Sequence, residues 1–240
     1  MTPSIRPSGI LPGGVIAVRD FPIEREPWIE LGWPGIEPKQ PSLLIVDFDD
    51  SGSVIAPQGS DPVGNRFEEA KRAIRLVADW TMTSRSKVAV LHFDHPHGAS
   101  GVVPLVDRRL ARRLAPALRN PGGPGTSDLL PSLLEMERLA TAYPGHDVVG
   151  TIVSDFELTD LDPSEVFARM EAFPGQIHAV VLGGRIPMEL EAISNVTVTS
   201  LSPGDPPGAF AAALHRSLTA TRRAARFSML HGPHGKEALS

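Results

Sequence analysis

The 240-residue sequence contains no cysteine and only one tyrosine, and just four of its 23 basic residues are lysines. Without cysteine the chain has no disulfide, no thiolate-bound zinc and no thiol nucleophile. It lacks an apolar run near the ~20 residues that cross a bilayer, and its first residues lack the apolar stretch of a secretory signal. The net charge of -5 is also unlike the basic excess of nucleic-acid-binding proteins. We therefore expect a cytoplasmic protein that neither spans a membrane nor binds nucleic acid.

Three segments of different composition predict the domain organisation. Residues 1–40 are rich in proline, which interrupts helices and strands, yet they include Trp28 and Trp33. This segment is predicted to be an extended arm that packs on the body or on a partner, and residues 15–18 would add a strand to a sheet edge. Residues 41–226 alternate strand-like and helix-like patterns and are predicted to form the domain. Residues 227–240 are predicted to be a flexible tail.

Apolar runs separated by amphipathic segments predict an α/β fold. Four runs are continuously apolar, as in strands buried on both faces, and the segments between them repeat apolar residues at helical spacing. Alternating strands and helices predict a three-layer, doubly wound, mostly parallel sheet with helices on both faces and one antiparallel edge strand. The predicted strands are residues 42–48, 87–93, 101–105, 147–154, 176–182 and 195–201, and the predicted helices are residues 65–83, 107–118, 127–143, 163–173 and 206–226.

Oxygen-bearing side chains occur in three loops next to these elements. Asp49, Ser51 and Ser53 follow the first strand, Thr126 follows a glycine-rich turn that opens a helix, and Asp155 ends the strand at 147–154. Because ligands of open α/β sheets bind at the carboxyl ends of the strands, we expect these loops to meet at one edge of the sheet. Their hard oxygen donors suit Mg²⁺, Mn²⁺ or Ca²⁺ and disfavour softer metals.

This combination of loops resembles the von Willebrand factor A family, also called the integrin inserted-domain fold. The metal-ion-dependent adhesion site of that family consists of Asp-x-Ser-x-Ser, a Thr on a second loop and an Asp on a third. Asp49, Ser51 and Ser53 match the first element, Thr126 matches the second, and Asp155 matches the third. The resemblance covers about residues 41–225 and includes the complete site motif. It departs from the family at Phe156, where the family usually has glycine.

The resemblance implies a metal-dependent protein-binding module without catalytic activity. In the family, an Asp or Glu carboxylate of a partner protein completes the coordination of the metal ion. The resemblance therefore implies Mg²⁺ as the cofactor, with Mn²⁺ or Ca²⁺ as alternatives, and a partner that offers an acidic side chain. Intracellular, bacterial-type relatives often act as adaptors in multiprotein assemblies or beside ATPases, and we expect a partner of that kind here.

An enzymatic alternative comes from the same strand end. Asp47 and Asp49 also resemble the Asp-x-Asp of haloacid-dehalogenase-like phosphatases, in which the first Asp is the nucleophile, the second is the acid/base and Mg²⁺ binds alongside. Ser154 would then stand for the second motif of that family and Gly204-Asp205 for its last. However, no lysine lies between Lys87 and Lys236, so the lysine of that family is missing, and the adhesion-site reading is favoured.

A second metal site is conceivable at residues 92–97, where His92, Asp94, His95 and His97 lie within six residues. Such a cluster offers ligands for Zn²⁺, but Pro96 makes the local geometry irregular. The ordinary interpretation, a polar loop that follows a buried strand, is favoured here.

Overall fold

Six strands form the central sheet of the protein, which a computed structural model describes over residues 28–61, 65–93, 99–120, 123–183, 185–226 and 229–231. Elements are numbered here along those residues. The strands are β1 Trp28–Glu30, β2 Ser42–Phe48, β3 Ser86–His92, β4 Val103–Pro104, β5 Asp147–Ser154, β6 Gln176–Leu182, β7 Val196–Leu201 and β8 Met229–His231. The helices are α1 Gly52–Ile55, α2 Asn65–Asp79, α3 Leu110–Leu114, α4 Leu130–Ala142, α5 Pro163–Ala172, α6 Met188–Ala192 and α7 Ala209–Thr219.

The central sheet has the strand order β4-β3-β2-β5-β6-β7. All neighbouring strands are parallel except β4, which pairs antiparallel with β3 at one edge. Helices cover both faces, so the predicted α/β fold class is confirmed, including its antiparallel edge strand. Because β2 lies beside β5 and parallel to it, the loop after β2 lies beside the loop that follows β5.

Each face of the sheet carries its own apolar cluster. Leu44 and Val46 of β2 pack with α2 and α7 on one face, and Leu43 and Ile45 pack with α4 and α5 on the other. This division follows from the alternation of side chains along a strand. Burial of one such side chain contributes ~1.5–3 kcal/mol, and these two clusters therefore hold the sheet in place as a rigid base for the loops.

Several helices differ from their predicted bounds. The segment predicted as a helix over 107–118 is α-helical only at Leu110–Leu114, since Pro116 lacks an N–H group and disfavours helix at the residue before it. The last predicted helix begins later, at Ala209, after Gly208 in a left-handed conformation with φ 95°. The short helices α1 and α6 were not predicted, because neither is long enough to show an apolar period. Within the described residues, no helix is both long enough and apolar enough to cross a bilayer.

Residues 28–40 of the predicted arm lie along α2 and α7. Arg72 in α2 donates to the carbonyl of Ile29 (3.2 Å), and Leu31 packs against the apolar cluster on that face. The strand β1 pairs antiparallel with β8, which falls in the segment expected to be a flexible tail. The remainder of the arm, including residues 15–18, lies outside the described residues, and the domain boundaries stay a prediction.

A buried histidine in β6 gives the fold a predictable response to acid. The two ring nitrogens of His178 lie 2.5 Å from the Ser217 hydroxyl and 2.8 Å from the Thr199 hydroxyl. Burial lowers the pKa of His178 to about 4. The folded-state pKa is thus below the unfolded value of ~6.5, so stability is complete above pH ~6.5 and declines as the pH falls toward 4.

We expect His178→Gln to reduce this acid sensitivity. The difference in unfolding free energy between about pH 7.5 and about pH 5, measured by denaturant titration, should shrink by about 2 kcal/mol, because the variant no longer takes up that proton on unfolding. If the variant and the wild type lose the same free energy between these pH values, His178 is not held neutral in the folded protein.

Candidate metal centre

The first loop of the site begins where β2 ends. Asp49 is fully buried, and its backbone N–H donates to the Val153 carbonyl of β5 (2.9 Å). One carboxyl oxygen of Asp49 accepts from the backbone N–H of Ser51 (2.8 Å), and the other accepts from the Ser154 hydroxyl (2.5 Å). The hydroxyl oxygens of Ser51 and Ser53 lie 3.0 Å apart. The first motif therefore forms a compact turn with its oxygens close together.

The second loop lies directly against the first. The N–H of Gly125 donates to the Asp50 carbonyl (2.8 Å), and Ser51 and Gly125 form an isolated parallel bridge. This contact places Thr126 beside the first loop. Thr126 is exposed, whereas Ser51 is 2% exposed. The site is thus buried on the side of the sheet and open on the side of Thr126.

The third loop follows β5 and carries Asp155, which is buried. Its carboxyl accepts from the N–H of Glu157 (3.1 Å). The next residue, Phe156, has φ 58°, in the left-handed region that favours glycine. The motif of the von Willebrand factor A family, which the sequence resembles, usually has glycine at this position. Here a phenylalanine adopts the left-handed conformation. A non-glycine residue in this region costs ~1–3 kcal/mol, which the burial of the Phe156 side chain in the α4–α5 cluster offsets.

The electrostatics of the site indicate two adjacent carboxyl groups. Burial raises the pKa of Asp49, while hydrogen bonds from Ser154 and Ser51 oppose that shift and the charge of Asp155 adds to it. Two carboxylates held together in a buried place repel one another, and a divalent cation between them would remove that repulsion. Asp49 and Asp155 thus form the anionic part of the cluster.

The donor set fits a hard divalent cation. Among the described residues, no group of three or more His, Cys, Asp or Glu side chains is arranged to hold a metal, so a site here has to combine its two carboxylates with hydroxyls. Neighbouring ligands of an octahedral Mg²⁺ at ~2.0–2.1 Å are themselves about 3 Å apart. The separation of the Ser51 and Ser53 oxygens, 3.0 Å, agrees with that spacing.

The residue between the motif positions, Asp50, is part of a buried ionic network. Arg66 donates to the Asp50 carboxylate (2.8 Å), to the Asp61 carboxylate (2.6 Å) and to the backbone carbonyl of Asp49 (3.2 Å). Arg66 is 2% exposed. This role of Arg66 was not predicted. A signal was present, because Arg66 lies in phase with the apolar stripe of α2, where a buried arginine requires a buried acid.

His92 holds Asp50 from the other side. Its Nδ1 lies 2.5 Å from the Asp50 carboxylate, and its Nε2 lies 2.9 Å from the Ala117 carbonyl. Both partners are acceptors, so the ring carries a proton on each nitrogen. Burial alone would lower the pKa of His92, but Asp50 and these hydrogen bonds raise it above its usual value. With both nitrogens engaged, His92 is a support for the first loop, and Asp94, His95 and His97 lie outside the described residues.

The structure does not support the phosphatase alternative. Asp47 is fully buried and accepts a hydrogen bond from Ser132 of α4 (2.6 Å). Burial raises the pKa of Asp47 to about 7. A nucleophile has to reach its substrate, and Asp47 points into the interior between the sheet and α4.

Comparisons with known proteins establish the fold. No protein-family model matches the sequence, and no curated protein matches it. A von Willebrand factor type A protein from Catenulispora acidiphila aligns with a TM-score of 0.51 and 14% identity, covering 83% of this chain and 51% of that chain. The manganese-loaded TRAP protein of Plasmodium vivax aligns with a TM-score of 0.50 and 12% identity, covering 86% of this chain and 82% of that chain.

A third solved structure carries a metal in its adhesion site. Proximal thread matrix protein 1 from the mussel byssus, with a zinc-occupied metal-ion-dependent adhesion site, has a TM-score of 0.51 and 18% identity, covering 77% of this chain and 49% of that one. The chain spans about half or less of the length of the first solved structures that it resembles. These similarities show that the chain has the von Willebrand factor A fold.

Proposed function

We propose that this chain is a metal-dependent protein-binding module without catalytic activity. Asp49, Ser51, Ser53, Thr126 and Asp155 would hold one divalent cation, and an Asp or Glu carboxylate of a partner protein would complete its coordination. The observation that carries the proposal is the meeting of three loops around Asp49, a buried carboxyl bonded to hydroxyl and amide groups and close to a second carboxyl. We assign Mg²⁺ first, with Mn²⁺ or Ca²⁺ as alternatives, because all five donors are hard oxygens.

The exposure of the five residues supports access for a partner. Asp49, Ser51 and Asp155 are buried, Ser53 is partly buried and Thr126 is exposed. A carboxylate would therefore approach from the side of Thr126, over the carboxyl end of the sheet. This is the edge at which open α/β sheets bind their ligands.

The charge of the donor set supports an acidic partner. The three hydroxyl donors are neutral, and Asp155 would bind directly or through water. With Asp155 bound through water, Asp49 would be the single carboxylate of the chain in direct contact with the cation, and a partner carboxylate is the protein group that best satisfies the remaining positive charge. The resemblance to the von Willebrand factor A family further favours a bacterial adaptor in a cytoplasmic multiprotein assembly, including one beside an ATPase.

A pull-down with immobilised chain tests the proposal. A partner should be retained in Mg²⁺ and released by EDTA, and Thr126→Ala should lose it. Thr159→Ala is the matched control, because Thr159 is an exposed threonine on the neighbouring loop that bonds to Asp128 (2.7 Å). A partner that is retained equally in EDTA and by Thr126→Ala would contradict the proposal. Phosphatase activity lost in Asp47→Asn would favour the enzymatic alternative instead.

Removal of the metal should leave the fold intact. The two apolar clusters that cover the sheet stabilise it independently of the loops, and a Mg²⁺ ion that keeps several waters adds little to them. We expect EDTA to change the melting temperature by less than about 3 °C, which corresponds to about 1 kcal/mol for a chain of this size. Unfolding on chelation would mean that the metal is structural, and the adhesion proposal would lose its support.

A further inference from the structure

The end of the sheet opposite the metal centre exposes a cluster of apolar side chains. Ile36 and Trp80 are each 53% exposed, and Met82 is 82% exposed. Trp33 packs edge-on against Trp80, with the ring centroids 6.2 Å apart. Counting Val106, four of the seven large apolar side chains that the described residues expose therefore lie at this one end, which is typical of an interaction surface.

Hydrogen bonds join the three segments that form this end of the molecule, residues 33–37, the turn at 80–83 and residues 223–226. The N–H of Ile36 donates to the Arg223 carbonyl (2.9 Å), and the N–H of Arg226 donates to the Trp33 carbonyl (2.8 Å). The Glu37 carboxylate accepts from the N–H of Met82 (3.1 Å). The apolar residues thus keep fixed positions relative to one another.

Exposed cations surround the apolar residues. Lys39, Arg85, Arg223 and Arg226 are all exposed, and none of the ion pairs found within the described ranges includes them. We call Ile36, Trp80 and Met82 with these four cations the amino-end patch. Among the described residues, the acids at this end of the sheet include Glu37, which is occupied by the amides of the 82–83 turn, and Asp107, which pairs with Arg113 (2.9 Å), together with Asp79 and Asp147.

The charge of the molecule is separated between the two ends of the sheet. The carboxyl ends of the strands carry the acids of the first and third loops that no ion pair within the described residues includes, among them Asp49, Asp155 and Glu157. The chain has a net charge of -5, yet its amino end presents unpaired cations. An anionic surface would therefore attract the amino end and repel the carboxyl end.

We infer that the amino-end patch binds the surface of a bilayer that contains anionic lipids. Trp80 and Met82 project from the turn between α2 and β3, and a bilayer interface accepts projecting tryptophan and aliphatic side chains without a complementary pocket. The four cations would pair with lipid phosphates. Bound in this way, the chain would turn its metal centre away from the bilayer. The inference does not depend on metal binding.

Vesicle co-sedimentation of the full chain in EDTA tests the inference separately from the metal site. We expect binding to phosphatidylcholine vesicles that contain about 30% phosphatidylglycerol, weak binding to phosphatidylcholine alone, and loss of binding at about 1 M salt, where the screening length is ~3 Å. Arg85→Gln and Arg223→Gln should each weaken binding about fivefold. Met82→Ser should also weaken it, and Trp80 emission should shift to the blue on binding.

Matched controls lie at the other end of the sheet. Arg119→Gln and Arg185→Gln change exposed arginines that follow the His92-bonded segment and β6, and Met188→Ser changes a methionine that is 72% exposed; none of them should alter vesicle binding. The inference is overturned if the chain does not bind anionic vesicles, or if the controls weaken binding as much as the patch variants. It is also overturned if the patch variants instead abolish a dimer or the capture of an acidic protein while vesicle binding persists.

Discussion

Replacement of Asp49 by alanine is expected to abolish divalent-cation binding, with an affinity for Mg²⁺ or Mn²⁺ at least about a hundredfold lower in titration calorimetry. Changes to outer-shell partners of metal ligands already cost ~10–100-fold, and Asp49 is the buried anionic donor at the centre of the proposed set. Burial raises the pKa of Asp49, which means that the charged carboxylate is disfavoured in the folded protein. Its removal should therefore leave the variant folded, as measured by circular dichroism.

Asp128→Asn provides the matched control for this experiment. Asp128 lies in the second loop, two residues after Thr126, and accepts a hydrogen bond from Thr159, but it is outside the proposed ligand set. Its replacement should change the affinity by no more than about threefold, the effect of a single nearby charge at high dielectric. If Asp49→Ala binds the cation as well as the wild type does, the assignment of the site is wrong.

The largest expected effect on stability is that of Arg66→Met. Arg66 is 2% exposed and bridges the Asp50 and Asp61 carboxylates at 2.8 and 2.6 Å. Removal of one partner from a buried ionic network leaves uncompensated charge and typically costs ~3–5 kcal/mol. Denaturant unfolding should show a loss of that size, together with weaker metal binding, because Arg66 also bonds to the backbone carbonyl of Asp49.

Arg75→Met is the control on the same helix. Arg75 is exposed, and exposed substitutions usually change stability by no more than ~0.5 kcal/mol. A loss of stability for Arg66→Met no larger than that of Arg75→Met would mean that the Asp50–Arg66–Asp61 network contributes little to the loop.

The central strands were predictable because their chemistry is local. Segments such as Ser42–Phe48 and Gln176–Leu182 are dominated by apolar residues, and such a run is enough to predict a strand buried on both faces. The ends of β2 and β5 then located the first and third loops, since polar residues that follow parallel strands meet at one edge. The second loop precedes α4 instead of following a parallel strand, and it meets the first through the hydrogen bond from Gly125 to the Asp50 carbonyl.

The buried side chains that hold Asp50 and the first loop in place could not be predicted in the same way. Arg66 and His92 reach Asp50 across 16 and 42 residues of sequence, and no local pattern specifies which buried cation meets which buried acid. The left-handed conformation of Phe156 could not be predicted either, because the backbone preferences of amino acids assign such a conformation to glycine. It is the surrounding packing of the Phe156 ring that holds the conformation in place.

The most direct test of the proposed metal centre is an anomalous difference map from a crystal soaked in Mn²⁺. We expect one peak bounded by the side-chain oxygens of Asp49, Ser51 and Ser53, with Thr126 and Asp155 bound directly or through water. A peak coordinated by Asp47 together with Asp49, or Mn²⁺ bound only elsewhere on the surface, would contradict it.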